Sequence, residues 1–183
     1  KALLFLAAGA AIHGVGTREI ERLGGLARSM PHTTWLFAVG AAAICGLPPL
    51  NGLVSELLIY VGLFRISGDG GGGVWSAAPL AAPLLALAGA LAIACFVKAF
   101  GSVFLGPSRS ASAAQGQECP TSMQAGMFVL AGGCVAIGVF PLLRVSALDP
   151  VTRTWLPLRP PPPALGDLLP WQSLMGMNAA LVL

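Results

Sequence analysis

Apolar residues run through this chain in long blocks rather than in alternation. The blocks cover residues 1–15, 33–65, 78–105 and 124–143. They are too continuous for half-buried strands, and they lack the polar face of a helix on a water-soluble domain. They predict membrane-crossing helices, each of which needs about 20 mainly apolar residues. Polar connections separate the blocks. GTREIERLGGLARSMPH predicts a short interfacial helix and turn, SGDGGGG a loop, and PSRSASAAQGQECPTS a surface loop. From Arg144 to Pro170 the chain is rich in proline, including the run Pro160 to Pro163, which predicts an extended connection rather than a helix. Residues 171–183, WQSLMGMNAALVL, turn apolar again and predict the start of a further membrane helix. The expected class is therefore an all-α, polytopic transmembrane bundle, with one transmembrane domain over residues 1–143, a proline-rich connection over 144–170 and a last helix from 171.

One block is too long for a single crossing. Residues 33–65 would make a helix of about 50 Å, against a hydrocarbon core of about 30 Å. The sequence supplies a break at residues 46–52, GLPPLNG, where Pro48 and Pro49 remove backbone donors and the flanking glycines allow unusual torsions. Residues 33–65 thus predict one discontinuous helix. Unwound backbone at membrane depth is tolerated only inside protein or beside a wet cavity, and transporters place ion sites at such breaks.

Composition agrees: 56% of residues are hydrophobic and 9% are charged, against roughly 25% charged for a globular average. A net charge of +3, thinly spread, excludes a nucleic-acid surface. Cys45, Cys95, Cys119 and Cys134 include no CxxC pair and no neighbouring histidine cluster, so no zinc or iron–sulfur site is predicted. No cofactor is expected on this chain, and any redox chemistry would belong to other subunits. The opening KALLFLAAGAA has the charge and apolar run of a signal peptide. It continues into IHGVGTREIER instead of a small-residue cleavage site, so a helix interrupted by the start of the chain fits better.

Of the ten basic and seven acidic residues, all but Lys1, Glu56 and Lys98 fall in connections or at block ends. A charge at mid-bilayer costs at least about 2.5 kcal/mol, so these three are the candidates for function. Glu56 stands one turn beyond the break. The positive end of the second half-helix, with Asn51 or Ser55 as a cap, favours its ionised form, whereas burial favours the protonated form. A carboxyl group under those opposed pressures can take up and release protons. The competing reading is a helix-start carboxylate near an interface. Lys98 continues the stripe Ala86, Ala90, Ala94, whose spacing marks a face packed on another helix; snorkelling to the interface is its alternative. His13 and His32 lie near block ends, where an interfacial histidine competes with a proton relay. Basic residues divide evenly between alternate connections, so orientation is not determined.

The motifs KALLFLAAGAAIHG, TREIERLGGLARSMP and ICGLPPLNGLVSELLIY, in this order and spacing, resemble the later helices of the antiporter-like membrane subunits of respiratory complex I, membrane-bound hydrogenases and Mrp cation/proton antiporters. The resemblance covers residues 1–105. GTREIERLGGL, the PPLNG-x-x-SE form and ACFVKAFGSVFLG are most similar to the hydrogenase-4 and formate hydrogenlyase branch. It implies two inverted five-helix repeats, each with a broken helix, of which this chain holds most of the second as a C-terminal fragment. It also implies that Lys1 is the lysine of the helix before the break, Glu56 the terminal ionisable group of the broken helix, and Lys98 a neighbour of the same axis. His13 follows the lysine helix as a candidate relay. Pro48, Pro49, Asn51 and Gly52 mark the break. The function implied is a proton-translocating subunit of a multisubunit hydrogenase or NADH:quinone-type oxidoreductase in the bacterial inner membrane, with other membrane subunits and a peripheral redox arm as partners. The alternatives are a sodium- or potassium-for-proton antiporter subunit without a redox partner, and a structural membrane anchor.

Overall fold

Pro31 opens a helix that runs Pro31–Ile44 (α3), and the residue before it, Met30, has no side chain that can cap it. The helix N-terminus therefore needs acceptors from elsewhere. In the computed structural model they come from the third connection. The backbone N–H groups of His32 and Thr33 donate to Glu118 Oε1 at 2.6 and 3.2 Å, and Thr33 Oγ1 donates to Glu118 Oε2 at 2.8 Å. Proline has no N–H, and Thr34 N donates to Met30 O at 3.0 Å, so the first turn is fully paired. The carboxylate also meets the positive end of the helix dipole.

The structure describes residues 1–68, 78–141, 148, 150, 151, 154 and 171–180, and these are helical or connecting, with no strand among them. The helices are α1 (Ala2–Val15), α2 (Leu26–Ser29), α3, α4 (Asn51–Gly68), α5 (Ala78–Val103), α6 (Ala111–Ala114), α7 (Thr121–Val139) and α8 (Trp171–Ala180), with a 3-10 turn at Ile20–Arg22. Within them, Leu80–Val103 and Thr121–Val139 are long and apolar enough to cross a bilayer. Leu84, Leu87, Leu91 and Val97 of α5 are all more than half exposed, an arrangement that suits lipid or a protein neighbour rather than water. Most of the segment 144–170 lies outside the described residues. Where it is described, at Leu148, Pro150, Val151 and Thr154, the backbone is helical, and Thr154 Oγ1 donates to Pro150 O at 2.8 Å. That corrects the extended reading at these positions.

The chain forms two units. The first comprises Lys1–Cys45 and Leu85–Cys134. Its core is built on the small residues of α1: Ala7, Ala10 and Ala11 are at most 3% exposed and let neighbouring helices come close. Leu3, Leu36, Cys119 and Met127 fill one half of this core, and Leu23, Leu26, Met30 and Phe104 the other. The first and third connections dock on each other. Gly25 N and Ala27 N donate to the carbonyls of Leu105 and Phe104 at 3.1 and 2.9 Å, and Ser110 Oγ donates to Arg22 O at 2.8 Å.

The second unit comprises Gly46–Leu84 and Val135–Leu183. Here the end of α7 rests on the turn Leu47–Leu50, closed by Leu50 N donating to Leu47 O at 3.0 Å. Gly138 makes the approach possible, because any Cβ there would collide with the Pro49 carbonyl and the Leu50 backbone.

These contacts set expectations for stability. Glu118→Ala removes the acceptor of the three donors at the start of α3, and of Gln124 Nε2 at 3.5 Å, and is expected to lower stability by about 1–2 kcal/mol, read as a lower melting temperature of the detergent-solubilised protein. On α7, Gly138→Ala is expected to destabilise by at least about 1 kcal/mol. Gly132→Ala, where an added Cβ meets nothing within 4 Å, should be neutral or stabilising in the same melting experiment.

Candidate functional site

The helical path through residues 31–68 is interrupted between Ile44 and Asn51. Cys45 N still donates to Ala41 O at 3.0 Å, and the chain then turns at Gly46, whose φ of +69° is the left-handed conformation that glycine adopts at least cost. Pro48 and Pro49 follow, joined by a cis bond, and neither offers a donor that could continue a helix. Asn51 starts α4, and Gly52 is an ordinary second helical residue. Of the two flanking glycines, only Gly46 supplies an unusual torsion.

Glu56 is partly buried on α4 and folds back on this break. A Cβ at position 46 would lie 2.6 Å from its Oε2 and 3.0 Å from its Oε1, so the carboxylate occupies the space that a side chain would take. Gly46 is thus required by its torsion, and any Cβ there would also displace the carboxylate from the break. The expected cap is not made. Ser55 Oγ donates back to Asn51 O at 3.3 Å, and Asn51 Oδ1 is buried without a hydrogen-bond partner. Once the helix starts at Asn51 itself, that side chain is one residue too late to serve as the cap.

The other candidates belong to the first unit. Lys1 lines a largely apolar cavity of about 480 Å³ together with Leu4, Phe5, Phe37, Ile44 and Phe96. Lys98 stands two residues beyond Phe96 on α5 and is exposed, as are Ala86, Ala90 and Ala94. The small-residue stripe is therefore bare, and the helix it would pack against is not among the described residues. His13 is exposed in the last turn of α1, about 18 Å along the helix axis from Lys1. His32 is also exposed; its ring stands edge-on to Phe128, with centroids 6.3 Å apart. Among the described residues no group of three or more histidine, cysteine or acidic side chains is placed to hold a metal ion.

Two residues outside the three membrane-depth charges matter to this architecture. Glu118 reads as a loop residue in sequence, yet it caps α3; its signal is a proline at a helix start preceded by a residue unable to cap. Asn178, 1% exposed on α8, donates from Nδ2 to Gly138 O at 2.9 Å. Nothing in the local sequence pattern distinguishes it.

Known proteins resemble this sequence. The family model described as NADH:quinone oxidoreductase/Mrp antiporter, transmembrane, matches residues 1–71, which include α1, α3, the break and α4. Hydrogenase-4 component B of Escherichia coli K12 is 42% identical over 139 residues, covering 76% of this chain and 21% of that protein. Formate hydrogenlyase subunit 3 of the same organism is 39% identical over 162 residues, covering 84% of this chain and 27% of that protein. An Na(+)/H(+) antiporter subunit of Alkalihalophilus pseudofirmus is 28% identical over 159 residues, covering 86% of this chain and 20% of that protein. The chain thus spans about a fifth to a quarter of the length of these relatives. The family match spans both sides of the break, the identity to these relatives extends past it, and the chain belongs to the NADH:quinone oxidoreductase/Mrp antiporter transmembrane family as an integral membrane protein.

Proposed function

We propose that this chain is part of a proton-translocating membrane subunit of a multisubunit hydrogenase or NADH:quinone-type oxidoreductase. In this reading, Glu56 is the group that takes up and releases protons at the helix break. The observation that carries the proposal is the partly buried carboxylate folded against Gly46, where the helix is interrupted and the dipole of α4 begins. Lys98 and Lys1 carry protons within the first unit, and His13 relays them near the loop end of α1. Electron transfer and its cofactors belong to a peripheral arm on other subunits, and the assembly sits in a bacterial inner membrane. The similarity to hydrogenase-4 component B and formate hydrogenlyase subunit 3 supports a redox-coupled complex over an isolated transporter.

A second reading has its own support, because an Na(+)/H(+) antiporter subunit matches 86% of the chain. Under it the same carboxylate serves a cation-for-proton exchange without a redox partner.

The test uses the full-length protein in its complex, reconstituted in vesicles. Glu56→Gln is expected to lower coupled proton flux at least about tenfold, with electron transfer measured in uncoupled membranes retained. Lys98→Ala should lower it to a smaller degree. Normal pumping by both variants would leave a structural anchor as the function. Sodium-stimulated exchange in everted vesicles without hydrogen, formate or NADH would favour the antiporter.

A further inference from the structure

α8 has no part in the proton path described above, yet it carries the most deeply buried amide side chain among the described residues. Asn178 is 1% exposed. Its Nδ2 holds the carbonyl of Gly138, one of the last carbonyls of α7, which the helix cannot pair for itself. Gly138 is the residue through which α7 lies against Pro49 and Leu50, the second half of the break. Asn178 therefore ties α8 to the end of α7 where α7 meets the break.

The amide is only half used. Asn178 Oδ1 is buried and accepts no hydrogen bond, and the same is true of Asn51 Oδ1 at the start of α4, next in sequence to Leu50. Both oxygens belong to the second unit, on elements that converge on the break. Two unpaired amide oxygens in an apolar interior are costly, and the smallest molecule that relieves them is water, whose O–H groups donate and whose oxygen remains free to accept. Two carboxamide acceptors also suit a proton-bearing water, since they stabilise positive charge without competing for the proton as a carboxylate would.

We propose that Asn178 and Asn51 hold water at the helix break, and that Asn178 is a positioning residue for proton exchange at Glu56. The inference rests on the function proposed above for Glu56. A hydronium at this site gives its proton to the Glu56 carboxylate, leaving water and a neutral carboxyl; the reverse step returns the carboxylate and regenerates the hydronium.

The experiment uses the full-length protein in its complex. Asn178→Leu keeps the branched outline of the side chain while removing both donor and acceptor. It is expected to lower proton flux roughly tenfold and to shift the infrared carboxyl band of Glu56, identified by its loss in Glu56→Gln. Uncoupled electron transfer per assembled complex should stay at the wild-type level. An assembled Asn178→Leu complex with wild-type flux and an unmoved band overturns the proposal. A high-resolution density map of the wild-type complex decides the matter independently of whether the variant folds. An ordered water within hydrogen-bond distance of Asn178 Oδ1 supports the site, and a protein donor on that oxygen overturns it. Should Glu56→Gln itself pump normally, the function proposed for Glu56 fails; if Glu56→Gln is inactive and Asn178→Leu pumps normally, only the role of Asn178 fails.

Discussion

Backbone polar groups at a helix end must be paired, and in an apolar medium water is not there to pair them. Much of the described structure answers that constraint. At the start of α3 the answer is Glu118, a carboxylate delivered from 85 residues away that accepts from two backbone N–H groups and a threonine hydroxyl. At the end of α7 it is Asn178, brought from α8 to the carbonyl of Gly138. Within the connections, Ser110 caps α6 by accepting from Ala113 N while its hydroxyl donates to Arg22 O. Each of these side chains does two jobs, finishing a helix and joining segments that are remote in sequence. The energy of a single bond of this kind is small, about 1 kcal/mol net. Leaving the group unpaired costs more, and that asymmetry gives the connections their defined arrangement.

The break at residues 45–50 is where the constraint is relaxed, and close packing takes its place. Two prolines remove donors, Gly46 turns the chain, and Gly138 lets α7 come against the exposed peptide planes. Weak contacts between a glycine Cα–H and a carbonyl suit such an approach, but the main effect is exclusion at 138, where a Cβ would strike backbone, and torsion at 46. The space opened at Gly46 is occupied by the Glu56 carboxylate. A charge-bearing group is thereby held beside unwound backbone, the setting in which transporters handle ions.

The three membrane-depth charges do not share one unit. Glu56 belongs with the break, whereas Lys1 and Lys98 belong with α1 and α5 of the first unit. Lys1 borders an apolar cavity, and the stripe below Lys98 carries no packed helix among the described residues. The chain spans about a fifth to a quarter of the length of the relatives it matches.

The helical class, the membrane setting and the place of the break are all legible along the chain. Apolar block length, the scarcity of charge and the two prolines are local properties that act wherever the chain goes. Glu56 stands out in the same way, because a carboxylate in a long apolar block is costly whatever surrounds it. Partnership, by contrast, became visible only in three dimensions. No pattern near Glu118 says that it serves a helix begun 87 residues earlier, and Asn178 reads as one polar residue in an apolar stretch until α8 meets α7. The same holds for Asn51, which looks like a cap in sequence and proves to be the first helical residue, with its amide oxygen unpaired. Local propensity depends on nearest neighbours along the chain, whereas hydrogen-bond satisfaction depends on which remote groups packing brings within about 3 Å.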